Sequence, residues 1–193
     1  MTQTEPKEIA TLPPIEELRD DVALSPRTGE PRRPAVLVVA SVLMYLAVAA
    51  VAWSYGWHWY RTAYPETYLI SAHLTGWVEP EPGKWFSLFL EFVYAGLTAL
   101  AGGAAGVVGF QAWNGHGWSR IGAGVAAVLA GIVAVLMNLY ALIAVGLVVA
   151  GGVLFLLPPV TRYFREWRRV RSHEPSRYSR PERIFYGRLP RFR

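Results

Sequence analysis

The chemistry open to this chain rests on few residues. It has four histidines and no cysteine, which removes disulfides, thiolate metal sites and cysteine nucleophiles. His58 and His73 share one polar stretch with Glu66 and Glu79, a set from which a metal site is conceivable. The expected reading is plainer: loop histidines are solvated, and no metal is bound. By the apolar runs traced below, His58, His73, His116 and His173 all fall in loops or a tail. None would then lie inside a helix, where a bundle-bound haem or chlorophyll takes its ligand. The apolar runs hold no lysine for a Schiff base, and the glycine-rich segments lack the Lys-Ser/Thr of a phosphate-binding loop. No cofactor is expected.

One titratable group does fall inside an apolar run. Glu91 lies six residues past Trp85, about 9 Å along a helix. A carboxylate within a membrane span is a candidate functional residue, a proton or ion site in particular. The competing reading puts Glu91 near the interface, paired with Arg61 or Lys84 or bonded to a tyrosine.

These groups need elements to hold them, and the charge distribution says which. Of 19 basic and 14 acidic residues, only Arg61, Lys84, Arg120, Glu66, Glu79, Glu81 and Glu91 lie between Pro34 and Val160. A soluble domain spreads charge over its surface, whereas a middle this depleted fits lipid. About 20 apolar residues cross a bilayer as helix. Spans are expected at about 35–55 and 85–110. The 40-residue run from Trp118 to Leu157 is twice a membrane thickness, so it divides into spans at about 118–137 and 141–158, a tight hairpin turning near Asn138-Leu139-Tyr140. The first span is read as a retained helix, because the polar segment before it is too long for a signal-peptide n-region. The expected fold is an all-α integral membrane protein of four transmembrane helices, residues 35–160, with an outer loop at 56–84 and tails at 1–34 and 161–193.

Basic residues set the orientation. Arg27, Arg32 and Arg33 precede the first span, Arg120 follows the second, and Arg162, Arg165, Arg168, Arg169 and Arg171 follow the fourth. The other side carries only Arg61 and Lys84. Both termini are therefore expected in the cytoplasm. Trp53, Trp57, Trp59, Trp77 and Trp85 mark one interface, and Trp113, Trp118 and Trp167 the other. Seventeen of the basic residues are arginine, and with abundant Ala, Gly, Val and Pro this points to a GC-rich bacterial genome and a bacterial inner membrane.

Small residues four apart let membrane helices approach closely. Gly102 and Gly106 supply such a face in the second span, Gly122, Ala126 and Ala130 in the third, and Gly146 and Ala150 in the fourth, with Gly151 and Gly152 beside them. These three spans are expected to pack on one another or on a foreign helix. The first, richer in branched residues, is the one free to face lipid.

The outer loop has Tyr60, Tyr64, Tyr68, Leu69 and Ala72 at roughly helical spacing, with Pro65 suited to a helix start. A loop resting on the bilayer surface is preferred to a ligand-binding lid. The N-terminal tail is acidic, with a short amphipathic segment from Pro13 to Val22. The C-terminal tail holds 11 arginines and three glutamates. Its first part continues the fourth span, with Arg162, Arg165, Trp167, Arg168, Arg169 and Arg171 as candidate contacts to an anionic leaflet or a partner. Beyond Glu174, prolines alternate with Tyr178, Phe185, Tyr186 and Phe192, as in an extended strap. In composition it resembles the segments by which supernumerary subunits attach to respiratory complexes. Nucleic acid is not an expected partner. The leading expectation is a non-catalytic accessory subunit of a larger membrane complex. Two alternatives are a small oligomeric transporter or channel with Glu91 at the pathway, and a membrane enzyme using His58, His73 or Glu66 at the outer loop.

Overall fold

The computed structural model describes Ser25 and residues 30–172. The Pro13–Val22 segment, Arg27, His173 and the strap beyond Glu174 lie outside the described residues. Every extended element among those described is helical: α1 (Ala35–Thr62), a 3-10 turn (Pro65–Thr67), α2 (His73–Val78), α3 (Trp85–Trp113), α4 (Ser119–Leu136), α5 (Ala141–Leu154) and α6 (Pro158–Ser172).

α1 begins directly after Pro34, whose backbone is extended. Besides Ser41, its buried positions are Leu37, Ala40, Met44, Ala47, Val51, Ser54 and His58, alternately three and four residues apart. That seven-residue repeat keeps one seam facing partner helices. In α3, Ser87, Leu90, Tyr94, Ala101, Ala105, Val108 and Ala112 repeat in the same way. α3 ends in a Schellman motif, in which Gly115 takes φ +74° while its N–H donates to the Ala112 carbonyl and that of His116 to Gln111. The turn between α4 and α5 spans residues 137–140, where the apolar run was expected to fold back.

The long helices form a closed ring. α1 packs on α3 and α5, and α4 packs on α3 and α5. Neighbours run antiparallel: a Cβ added at Gly109 of α3 would meet Met44, one at Gly122 of α4 would meet Val108, and one at Gly152 of α5 would meet Ala123. The expectation that α1 faces lipid is thus corrected, because one face of it is wedged between two helices. The ring's interior is largely alanine, and its exterior is large apolar residues such as Val42, Leu46, Phe92, Ile121, Val128 and Ile143. A water-soluble bundle shows the reverse. With no hydrophobic drive separating helices from lipid, close packing of small residues holds such a bundle together.

α1, α3 and α4 are each long and apolar enough to cross a membrane. α5 is shorter, at 14 residues. The expected fourth span, continuing straight into the tail, is corrected: the chain breaks at residues 155–157 and turns by 67° into α6. Pro158 and Pro159 lack the N–H groups that would continue α5, and proline suits a helix's first turn. α6 then lies against the end of the bundle through Val160, Tyr163 and Phe164. The tyrosine hydroxyl donates to the Trp113 carbonyl at 2.6 Å.

Glycine substitutions separate packed positions from open ones. Gly109→Ala places a methyl 3.0 Å from Met44 Cβ, and is expected to cost about 1–3 kcal/mol. At Gly146 nothing lies within 4 Å, so Gly146→Ala should gain about 0.5–1 kcal/mol from helix propensity. Thermal unfolding in detergent reads both shifts. Equal shifts at the two positions would contradict this packing.

Candidate functional site

α1 runs past its apolar stretch to Thr62, so His58, expected in the outer loop, sits inside the helix and is fully buried. It continues the buried seam of α1 and meets Glu91 on α3. His58 Nε2 lies 3.0 and 3.1 Å from the two carboxylate oxygens. The imidazole side chain is 0% exposed and the carboxylate side chain 23%. The ring of Tyr94 stands edge-on to the imidazole, centroids 4.7 Å apart. Its hydroxyl is 2.8 Å from Thr75 Oγ1 of α2. α2 in turn is tied to the α4–α5 turn, where the backbone N–H of His73 donates to the Met137 carbonyl and its Nδ1–H to that of Val135. One helical turn below His58, Ser54 Oγ donates to Asn138 Oδ1 at 2.8 Å and Asn138 Nδ2 returns a bond to the Ser54 carbonyl. The result is a polar layer across the end of the bundle that carries residues 63–84.

Glu91 therefore does not take the partners its sequence neighbourhood offers. Arg61 stands over the Trp57 ring at 6.0 Å, and Lys84 pairs with Glu81. The outer-loop tyrosines differ too: Pro65 opens only a 3-10 turn, and Tyr68 is buried beyond it. Burial pushes the Tyr68 phenol above its ordinary pKa, the Ser87 hydroxyl opposes this, and the Glu91 carboxylate adds to it. Tyr68 thus stays a neutral phenol beside the acid.

Chemically, the pair joins an imidazole to a carboxylate across two helices, and His58 Nδ1 is buried without a hydrogen-bond partner among the described residues. The described residues contain no cluster of three or more metal-ligating side chains. His58 and His73 are each engaged elsewhere.

The packing candidates divide. Gly102 and Gly106 face Val48, with an added Cβ at 3.8 and 3.6 Å. Gly122 lies under Val108 and Trp118, and Ala126 and Ala130 are buried. Gly146 and Ala150, expected on the packing face of α5, are exposed. The face that packs is Ala141, Ala144, Val148 and Gly151. Met44 and the Ala40 carbonyl sit over Gly151 and set that rotation.

At the opposite end, Arg162, Arg165, Arg168, Arg169 and Arg171 of α6 are exposed, and Trp167 is half-buried. The Trp167 ring covers Gly115, and Arg171 donates to the carbonyls of Asn114 and Gly115 while stacking on Trp167. These two residues latch α6 to the α3–α4 loop. Arg120 joins the same latch, donating to Thr161 Oγ1 at 2.9 Å and standing over Phe164.

No protein-family model matches the chain, and no curated protein or solved structure matches it significantly.

If His58 and Glu91 act as a pair, their losses will not add. His58→Ala and Glu91→Ala should each lower stability in detergent, with a coupling of about 1 kcal/mol or more in the double variant. Additive costs would mean that the two side chains do not interact.

Proposed function

We propose that the chain is a non-catalytic structural subunit of a larger bacterial membrane complex. It crosses the inner membrane four times with both ends in the cytoplasm. The observation that carries this reading is the use made of the interior polar groups. His58–Glu91, Ser54–Asn138 and Thr75–Tyr94 each join two different elements. Their geometry suits holding helices in register. The small-residue core closes the bundle around them, leaving the outer helix faces as surfaces open to neighbours.

The charge at the two ends supports the orientation. One end carries Arg32, Arg33, Arg120, Arg162, Arg165, Arg168, Arg169 and Arg171, and the other only Arg61 and Lys84 among the described basic residues. Lys and Arg favour the cytoplasmic side. The α6 latch keeps its arginine row at that surface, where anionic lipid contributes about 1 kcal/mol per residue. A respiratory assembly is the first host to examine, given the Arg- and aromatic-rich sequence after α6.

A second reading is favoured by the His58–Glu91 pair itself. A buried histidine paired with a partly exposed carboxylate inside a membrane bundle is the kind of group found along proton pathways in membrane carriers. In that reading the chain is a small transporter, working as an oligomer, with Glu91 at the pathway.

One comparison separates the two. The tagged protein is recovered from native membranes in mild detergent, and the purified protein is tested for proton flux in liposomes. The structural reading expects stoichiometric recovery of one multi-subunit complex and no flux. A protein recovered alone, with flux that Glu91→Gln abolishes, would replace it with the transport reading.

A further inference from the structure

Where α6 folds back, it leaves a cleft against the start of α1, of about 380 Å³. We propose that this cleft binds the phosphate of an anionic phospholipid, one molecule per chain. The proposal rests on the reading above, which sets this end of the bundle at the cytoplasmic headgroup layer.

Arg32 and Arg162 line the cleft from its two sides, one just before α1 and the other at the start of the second turn of α6. Both side chains are exposed, and neither forms an ion pair with a described acidic residue. Arg33 is different: it pairs with Glu30 at 2.6 Å and lies 4.7 Å from the Trp113 ring. It belongs to the protein's own packing. Two guanidinium groups lining one space, neither in an ion pair among the described residues, match the bidentate recognition of phosphate.

The helix ends add little. α1 reaches the cleft only through Arg32 and Pro34, which precede its first turn, and the amides of Leu37 and Val38 already donate to the Pro34 carbonyl. α6 contributes no amides there, because Pro158 and Pro159 occupy its first two positions. An anion held in the cleft is therefore gripped by the two arginines. Tyr163 supplies wall, since its hydroxyl already donates to Trp113. Glu166 also lines the cleft, one turn beyond Arg162, and opposes the anion.

The surroundings select a lipid over a free anion. Pro34, Pro158 and Pro159 make the rest of the lining apolar. One turn into the bundle, α1 exposes Val38 and Val39, and the corner before α6 exposes Leu156 and Leu157. Acyl chains have apolar surface beside the phosphate, whereas inorganic phosphate would gain nothing from it.

The test uses the full chain in neutral detergent, with bound lipid counted by native mass spectrometry. Phosphatidylglycerol should be retained at one per chain in preference to phosphatidylcholine, and millimolar inorganic phosphate should not displace it. The Arg32→Ala/Arg162→Ala double variant should lose retention by about tenfold or more. The Arg165→Ala/Arg168→Ala variant should keep it. Glu166→Gln should raise retention, an effect that a folding defect does not produce. The proposal is overturned if Arg165→Ala/Arg168→Ala causes the loss instead, if Glu166→Gln has no effect, or if phosphate competes as well as the lipid. Binding in micelles does not depend on which way the chain crosses a membrane. A reversed topology and a missing lipid site therefore give different results.

Discussion

The bundle depends on how closely Met44 lets three helices approach. It is fully buried on α1, and glycines face it on both sides, Gly109 of α3 and Gly151 of α5. A side chain at either glycine would push α1 away from that neighbour. With α1 seated there, its seam runs on through Ala47, Val51 and Ser54 to His58. The antiparallel register then carries His58 to Glu91 and Ser54 to Asn138. The polar layer is thus a consequence of steric fit some two to four turns away. Broken pairs in such a layer are costly, because a buried polar group without its partner meets no water.

The two ends of the bundle are built on different physics. At the loop end, neutral hydrogen bonds and one imidazole–carboxylate pair tie α1, α2, α3 and the α4–α5 turn together. At the other end, arginine–aromatic stacking and guanidinium bonds to loop carbonyls hold α6 in place: Arg33 on Trp113, Arg120 on Phe164, Arg171 on Trp167. Arginine suits that task because its flat, weakly hydrated head stacks while its N–H groups still reach acceptors. Those contacts engage some arginines within the chain and leave Arg32, Arg162, Arg165, Arg168 and Arg169 outward.

Much of this fold is legible in the residues, because lipid and backbone hydrogen bonding leave few solutions. The depleted charge between Pro34 and Val160, the hairpin at residues 137–140 and the small faces of α3 and α4 follow from composition and spacing alone. His58 was obscured because the apolar run gives way to Gly56, Trp57 and Trp59, which read as an interface. The helix ignores that boundary, and the three-and-four spacing from Leu37 onward is the signal that runs through it. The rotation of α5 was not legible. Gly146 and Ala150 are spaced as well as Ala144, Val148 and Gly151, and only the position of Met44 decides between them. The bend at Pro158 was signalled by two prolines, but its direction depends on Gly115 leaving room for Trp167.

The proposed topology is a four-span bundle with its arginine end in the cytoplasm, including a short α5 that crosses. The chain's lack of cysteine makes a direct measurement possible. Ala63→Cys and Ser172→Cys variants, both at exposed positions, can be treated in intact spheroplasts with a membrane-impermeant maleimide. The account predicts that position 63 is labelled at once and position 172 only after the membrane is permeabilised. Labelling of both in intact cells would mean that α3, α4 and α5 do not make three crossings, and labelling of position 172 alone would reverse the orientation.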